Sequence, residues 1–530
     1  MCSYNKVNRV WSCENPTVLQ ELKATLGFRG YVISDWGATH STSLMEGLDV
    51  EMPGSYYLRA ELVREGLSAG VITKEALDDS VTRILRPMFA VGVMDVPAST
   101  WDGSNLHRNV TNERSVASCR RLAALSTVLL KNNGGVLPLD RGKKLAVLGL
   151  AGSNALSHGG GSGSVEASHL VTPLEGISRV VGSGVAFNDG SDVETAAALA
   201  AEAEVAIVFV GTLSSEGSDR PSLSLDAWCQ PDFLGPSHSG SRCQGNQNEL
   251  IEAVAKANRR TVVVVSIPGA VLMPWSPRVA SILVNFMPGQ QAGNAIADVL
   301  FGNINPSAKL PITIPNCENE VNFSRAQWPG LTGSAPNYSY VYSYFSERLL
   351  VGYRYYDAHG IQFTTGFPFG HGLSYTRFEY SGLVIGDMQV SFTVRNSGRF
   401  SGAEVAQLYL GFPVSAGEPP LQLKGFKKTR LLFAGESAHV QLKLRPRDFS
   451  TWDPRGHAWS LVEGAFSIKV GSSSRDIRLE SRYQILRAKH SELGTGLPAR
   501  GEFGHSQLRG AHNGMGGGEP SGEMTGKDPA

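Results

Sequence analysis

Two carboxylates stand where they could do chemistry. Asp35 follows the short apolar run Tyr31-Val32-Ile33-Ser34. A carboxylate just past the C-terminal end of a parallel strand sits where βα architectures assemble their active sites. The same position also suits a cap for a following helix, and the residue types alone leave both readings open. Trp36 beside it supplies a flat apolar face next to the carboxylate, a combination suited to stacking on a sugar ring. Glu216 lies in GTLSSEGSDRP, directly after the apolar run VAIVFV, among small residues that would let it reach a neighbouring cleft. For a lone loop glutamate the plainer reading is a solvated ion pair, here with Arg220. GGGSGS at 159–164 has the glycine content of a phosphate cradle. It lacks the GK[ST] ending and opens no clear helix, so a nucleotide reading is weak.

The elements that must position these residues change character along the chain. Residues 1–95 alternate helix and strand. Asn15-Pro16 caps a helix with Leu19, Leu22 and Leu26 on one face, closed by Gly27. A strand ending at Asp35, a second helix, the strand-like GLDVEMP and a helix from Leu58 to near Gly66 follow. Thr73 then caps a longer helix with Leu77, Val81, Ile84, Leu85 and Met88 inward. These βα units are too few to close an eight-stranded barrel. Residues 96–114 read as a linker. From 115 to 315 short apolar runs (Leu145–Leu150, Val205–Val210, Thr261–Ile267, Ala280–Phe286) alternate with helices such as Asn246–Ala257 and Gln291–Leu300. That pattern predicts a buried parallel sheet. Residues 316–380 form a Tyr-, Pro- and Gly-rich connector. From about 381 to 487, MQVSFTVRNSG, AEVAQLYLGF, AHVQLKLRP and AFSIKVG predict a β-sandwich. The Gly-rich remainder, 488–530, is expected to be disordered. The fold class is therefore multidomain: α/β followed by all-β.

Composition narrows the partners. Lys+Arg 48 balances Asp+Glu 48, which weighs against a broadly basic nucleic-acid binder. No stretch of about 18 apolar residues occurs, so no membrane-spanning helix is expected. The twelve histidines form no HxxxH pair beside a Glu, and the six cysteines lack CxxC spacing, so no metal site or cofactor is predicted. Sequons at Asn109, Asn322 and Asn337 favour a secretory route mildly.

Many segments, in order over residues 1 to about 487, resemble glycoside hydrolase family 3. MCSYN, LGFRGYVISDWGATHS and GLDVEMPG are similar to the second half of that family's barrel. KNNGGVLPL, SSEGSDRPSLSL, MPGQQAGNAIADVLFGNINPSAKLPITIP, VGYRYY and FPFGHGLSYT continue the match. RNSGRFSGAEVAQLYL and LKGFKKTRL resemble its fibronectin type III-like domain. The resemblance implies a partial (β/α)8 barrel, an α/β sandwich and a fibronectin type III-like sandwich. It further implies a secreted, retaining β-glucosidase with no cofactor, acting on cello-oligosaccharides or other β-glucosides. By motif, Asp35 matches the nucleophile and Glu216 the acid/base. Met1, Tyr4 and Trp36 match pocket-lining residues, and Ser162 a sugar contact. Cys2 and Cys13 form a candidate disulfide, and self-association stays open. A retaining acid must be protonated, so Glu216 is expected to have its pKa raised by an apolar wall or by the Asp35 charge.

The chain departs from the family in two places. MCSYN is internal in the family, so the first part of the barrel is expected to be missing and Met1 to be an internal methionine. AWCQPDFLGPSHSGSRCQ, at 227–244, interrupts a motif that otherwise reads continuously. It is either a loop stapled by Cys229 and Cys243 or a translated intron. On this reading the chain itself would be hydrolytically silent. The alternatives are β-xylosidase or broader exo-glycosidase activity, or an inactive fragment that binds carbohydrate.

Overall fold

Asn15 opens the first helix as its composition suggests. Its side chain accepts the Val18 N–H, and Pro16 occupies the first helical position of α1 (Pro16–Gln20). Beyond Gln20 the backbone widens into a π-helical turn, Glu21–Thr25, in which Leu26 N–H reaches back five residues to the Glu21 carbonyl. The extra residue rotates the apolar stripe. Leu19 is buried, while Leu26 ends up 53% exposed instead of joining it. Strands β1 (Ile33–Trp36) and β2 (Val50–Met52) pair in parallel. Cys2 pairs in parallel with Ser34 on the other flank of β1. Val32 is buried in a small core with Cys2, Cys13, Leu19, Ala38 and Leu48.

The helix expected after Gly37 does not form. The run ATHSTS offers its hydroxyls as local partners: Ser41 and Ser43 bond each other at 2.8 Å, and Thr39 donates to Glu51 at 2.7 Å. Ser43 also adopts a positive φ of 43°, so turns replace the helix. Two helices complete the segment, α2 (Ala60–Ser68) and α3 (Lys74–Ala90), the latter capped by Thr73. Val81, expected inward, is 45% exposed, and its neighbour Ser80 is the buried residue of α3.

The computed structural model describes residues 1–97, 109–165, 167–182, 184–217, 219–225, 228–229, 243–335, 338–386 and 388–486. Most of the predicted linker, the sequon Asn337, most of the 227–244 segment and the Gly-rich tail lie outside the described residues. At the base of that segment, Cys229 and Cys243 pair backbone to backbone in a short antiparallel ladder.

The middle of the chain builds a six-stranded sheet. α4 (Glu113–Ser126) leads into β3 (Val128–Asn132) and then β4 (Leu145–Leu148), α5 (Pro173–Val181), β5 (Val185–Asn188) and α6 (Val193–Glu202). β6 (Val205–Gly211), α7 (Gln247–Ala257), β7 (Thr261–Ser266), β8 (Ser281–Asn285) and α8 (Ala292–Leu300) follow. The strand order is β3-β8-β7-β6-β4-β5. The sheet is not wholly parallel as expected, because edge strand β3 runs antiparallel to β8. Alternate residues of β6 serve opposite faces. Ala206, Val208 and Val210 pack with α6 and α7, while Val205, Ile207 and Phe209 pack with α5 and α8. Burial on both faces is why these strands read as unbroken apolar runs rather than as alternation.

The connector folds into a hairpin (Leu331–Ala335 with Tyr338–Tyr342) and a short helix, Tyr353–Ala358. The C-terminal sandwich has two antiparallel sheets. One is β9 (Phe378–Gly386), β10 (Gln389–Asn396) and β13 (Ser437–Lys443). The other runs β12 (Gln422–Lys428), β11 (Val405–Gly411), β14 (Gly464–Gly471) and β15 (Ile477–Ile485). Phe392, Leu408, Phe449, Phe466 and Ile468 fill the space between them. No helix among the described residues is long and apolar enough to cross a membrane.

Candidate active site

The sheet topology creates a cleft before any side chain is considered. From β4 the chain moves outward to β5, then returns past β4 to β6 and continues to β7. The direction of strand addition therefore reverses between β4 and β6, and the crevice at such a reversal is where open α/β sheets bind ligands. The loops leaving the C-terminal ends of these two strands carry Ser162 and Glu216.

These loops are fastened together. Gly160 pairs with Ser215, and Gly160 N–H donates to the Ser214 carbonyl at 2.9 Å. Glu216 is exposed, and its Oε2 accepts two bonds from Ser162, 2.8 Å from the backbone N–H and 2.5 Å from the hydroxyl. Gly161, at φ +84°, lies so close that a Cβ there would come within 2.4 Å of the Glu216 Cβ. The glycine-rich run is thus the seat of a carboxylate. Arg220 does not pair with Glu216. It donates to the Ala270 carbonyl at 2.8 Å and feels the charge of Glu318.

Asp35 is half-buried near the end of β1, inside the strand rather than just past it. Since no helix follows directly, it caps none. Its Oδ1 accepts the Trp36 N–H at 2.8 Å, and its N–H donates to the Cys2 carbonyl at 3.0 Å. The Asp35 carboxylate beside Tyr4, then burial and the charge of Glu216, raise the tyrosine's pKa. Met1, Tyr4 and Trp36 are exposed, at 72%, 51% and 55%.

The structure thus brings Asp35 and Tyr4 from the N-terminal segment into one electrostatic neighbourhood with Ser162 and Glu216 from the six-stranded sheet. The protonation balance of Glu216 differs from expectation. The Ser162 hydroxyl, then the Ser162 N–H, pull its pKa below the usual carboxylate range. Burial and the Asp35 charge push the other way and do not prevail. Ser162, matched to a sugar contact, spends its hydroxyl on Glu216. Two further residues escaped notice in the sequence. Asp49 accepts the Val32 N–H at 2.7 Å and a bond from Lys23 at 2.8 Å. Glu51 accepts the Tyr57 and Leu58 N–H groups, each at 2.8 Å. Both are buried acids that brace the strands behind Asp35, and GLDVEMP signals them only by placing acids within a strand.

Among the described residues no group of three or more His, Cys, Asp or Glu is arranged to hold a metal. A cavity of about 770 Å³ opens elsewhere, between α4 and Met287–Gly289, and shares no lining residue with the candidate site. Cys2 and Cys13 are joined in a disulfide, whereas Cys119 and Cys317 are free. Asn109 and Asn322 are exposed, as an attached glycan requires.

Residues 127–375 match the glycosyl hydrolase family 3 C-terminal domain, and residues 404–474 match a fibronectin type III-like domain. A protein of Aspergillus fumigatus named probable beta-glucosidase L is 38% identical over 549 residues, spanning 92% of this chain and 70% of that relative. The chain belongs to glycosyl hydrolase family 3. Solved family 3 structures superpose on it. A beta-glucosidase from Chaetomella raphigera does so with a TM-score of 0.76 at 34% identity, covering 91% of this chain and 72% of that one. A beta-D-glucoside glucohydrolase from Trichoderma reesei gives a TM-score of 0.77 at 33% identity, covering 92% and 73%. Within this family 3 chain, the α/β sandwich and the β-sandwich correspond to the two matched domains, and the segment carrying Asp35 precedes both.

Proposed function

We propose that this chain carries the chemistry of a retaining β-glucosidase, removing terminal β-D-glucosyl residues from cello-oligosaccharides and other β-glucosides. The observation that supports it best is the meeting of Asp35 and Glu216 in one charge neighbourhood from separate parts of the fold. Relatives named as beta-glucosidases agree. Asp35 would attack the anomeric carbon as the bond to the leaving oxygen breaks, and protonated Glu216 would give its proton to that oxygen. Water would then attack the glycosyl–Asp35 ester while Glu216 takes the water's proton, regenerating both groups. Neither step draws on a cofactor. Met1, Tyr4 and Trp36 would line the glucose pocket, and residues 1–95 would be the end of a larger barrel. Secretion, with glycans at Asn109 and Asn322, belongs to the same reading.

A second reading, sugar binding without hydrolysis, draws on the Ser162 bonds that favour ionised Glu216. The deciding assay is turnover of p-nitrophenyl β-D-glucoside, with the β-D-xyloside in parallel. The retaining reading expects Asp35→Asn to abolish turnover. It expects Glu216→Ala to spare good leaving groups and to be accelerated by azide. Binding of glucose by calorimetry with no turnover would select the second reading. Faster xyloside cleavage would move the specificity to β-xylosidase.

A further inference from the structure

Glu216 is paired to a single neighbour. Among the described residues, Ser162 alone donates hydrogen bonds to its carboxylate, and both bonds reach the same oxygen. The arrangement is built by the backbone rather than by side-chain chance. The bridge from Gly160 to Ser215 sets the register of the two loops, and Gly161 at positive φ gives the close approach that presents Ser162 N–H and hydroxyl together. A residue with a Cβ at position 161 would displace Glu216, and one without a hydroxyl at 162 would leave half the clamp.

We propose that Ser162 is a positioning residue for Glu216, a clamp that fixes the orientation of its carboxyl group and holds it in the proton-accepting form. This deepens the retaining reading above and rests on it for its catalytic meaning. A carboxylate receiving two donors on one oxygen keeps the other oxygen free to face a leaving group or a water. The clamp therefore favours the base half of the cycle and must loosen for the acid half. The other groups facing Glu216 come from two directions. Asp35, with Tyr4 beside it, faces it from the N-terminal segment, and the Asp35 charge opposes the clamp. His158 lies in the same loop as Ser162, bonded to the Gly159 carbonyl at 2.8 Å. Arg220 is turned away to Ala270.

The test reads Glu216 directly and needs no turnover. The full chain is labelled with carboxyl-¹³C glutamate, the Glu216 resonance is assigned by its loss in Glu216→Gln, and its pH titration is followed. Ser162→Ala is expected to move the midpoint to higher pH, and Ser162→Thr, which keeps the hydroxyl, to restore it toward wild type. Circular dichroism checks that each variant is folded; Ser162 is exposed, so loss of its hydroxyl leaves the core untouched. An unchanged midpoint in folded Ser162→Ala overturns the clamp. The azide assay on Glu216→Ala judges the acid/base assignment separately, so either idea can fail without the other.

Discussion

The carbonyl of Cys2 accepts the Asp35 N–H at 3.0 Å, and Cys2 is cross-linked to Cys13. The strand bearing the candidate nucleophile is thus registered by a residue that a disulfide holds in place. The second bond of the pair, Cys2 N–H to the Ile33 carbonyl at 2.9 Å, holds the same edge of β1 two residues earlier.

Cys13→Ser should therefore loosen the site without unfolding the molecule. The two cysteines are 11 residues apart, and closing a loop of that size stabilises by about 3 kcal/mol in the chain-entropy model. Hydrogen exchange is expected to quicken in peptides covering 1–15 and 31–37 and to stay unchanged in the six-stranded sheet. Equal exchange with and without the disulfide would mean that the strand pairing needs no such support.

Lys23 and Asp49 form a buried pair at 2.7 Å, their side chains 10% and 1% exposed. Lys23→Met leaves a buried carboxylate that, among the described residues, keeps only the Val32 N–H to satisfy it. Removing one partner of such a pair costs about 3–5 kcal/mol. The expected outcome is selective proteolysis within residues 1–95 at a protease dose that spares wild type. A digestion pattern identical to wild type would contradict it.

Helices α5 and α8 cross at two glycines. A Cβ on Gly293 would lie 1.9 Å from the Thr172 carbonyl oxygen, and one on Gly176 would lie 2.1 Å from the Gly293 oxygen. Both obstacles are backbone and cannot swing aside, so Gly293→Ala should destabilise by at least the ~1–3 kcal/mol typical of overpacking. Gly142→Ala, with no atom nearer than 3.6 Å to its Cβ, serves as the neutral control. Thermal melts of the two variants should separate by several degrees.

Asp448 carries a sign that can be checked against pH. Burial alone would raise its pKa, but the Arg445 side chain and N–H, the latter at 2.8 Å, outweigh that and hold it below the usual carboxylate range. A depressed folded-state pKa stabilises above the unfolded value, about 3.9 for Asp. That contribution is lost as pH falls through the folded-state value. Asp448→Asn should therefore lower the melting temperature at pH 7, and the gap from wild type should close as pH drops below about 4. A constant gap across that range would show that the charge is not what Asp448 contributes.

Short-range pattern was enough to read much of this molecule from its residues. Val205–Gly211 and Thr261–Ser266 announce themselves because strands buried on both faces need apolar residues at every position. Glu216 stood out because it follows such a strand, and Asp35 because it closes a short apolar run, Tyr31–Ser34. Edge strand Val128–Asn132 and the half-buried Ile477–Ile485 carried weaker signals, and their pairing depends on partners far away in sequence. The helix expected after Gly37 failed because Ser, Thr and a buried Glu51 offered its backbone and side chains better partners. Only the tertiary structure decided what surrounds Glu216. Its local sequence suggested a pairing with Arg220, and the family resemblance implied a raised pKa. The reversal of strand order between β4 and β6 instead set a loop 54 residues away beside it and gave it Ser162. Charge state follows from the nearest donors in space, and neighbours in space are what a linear pattern does not contain.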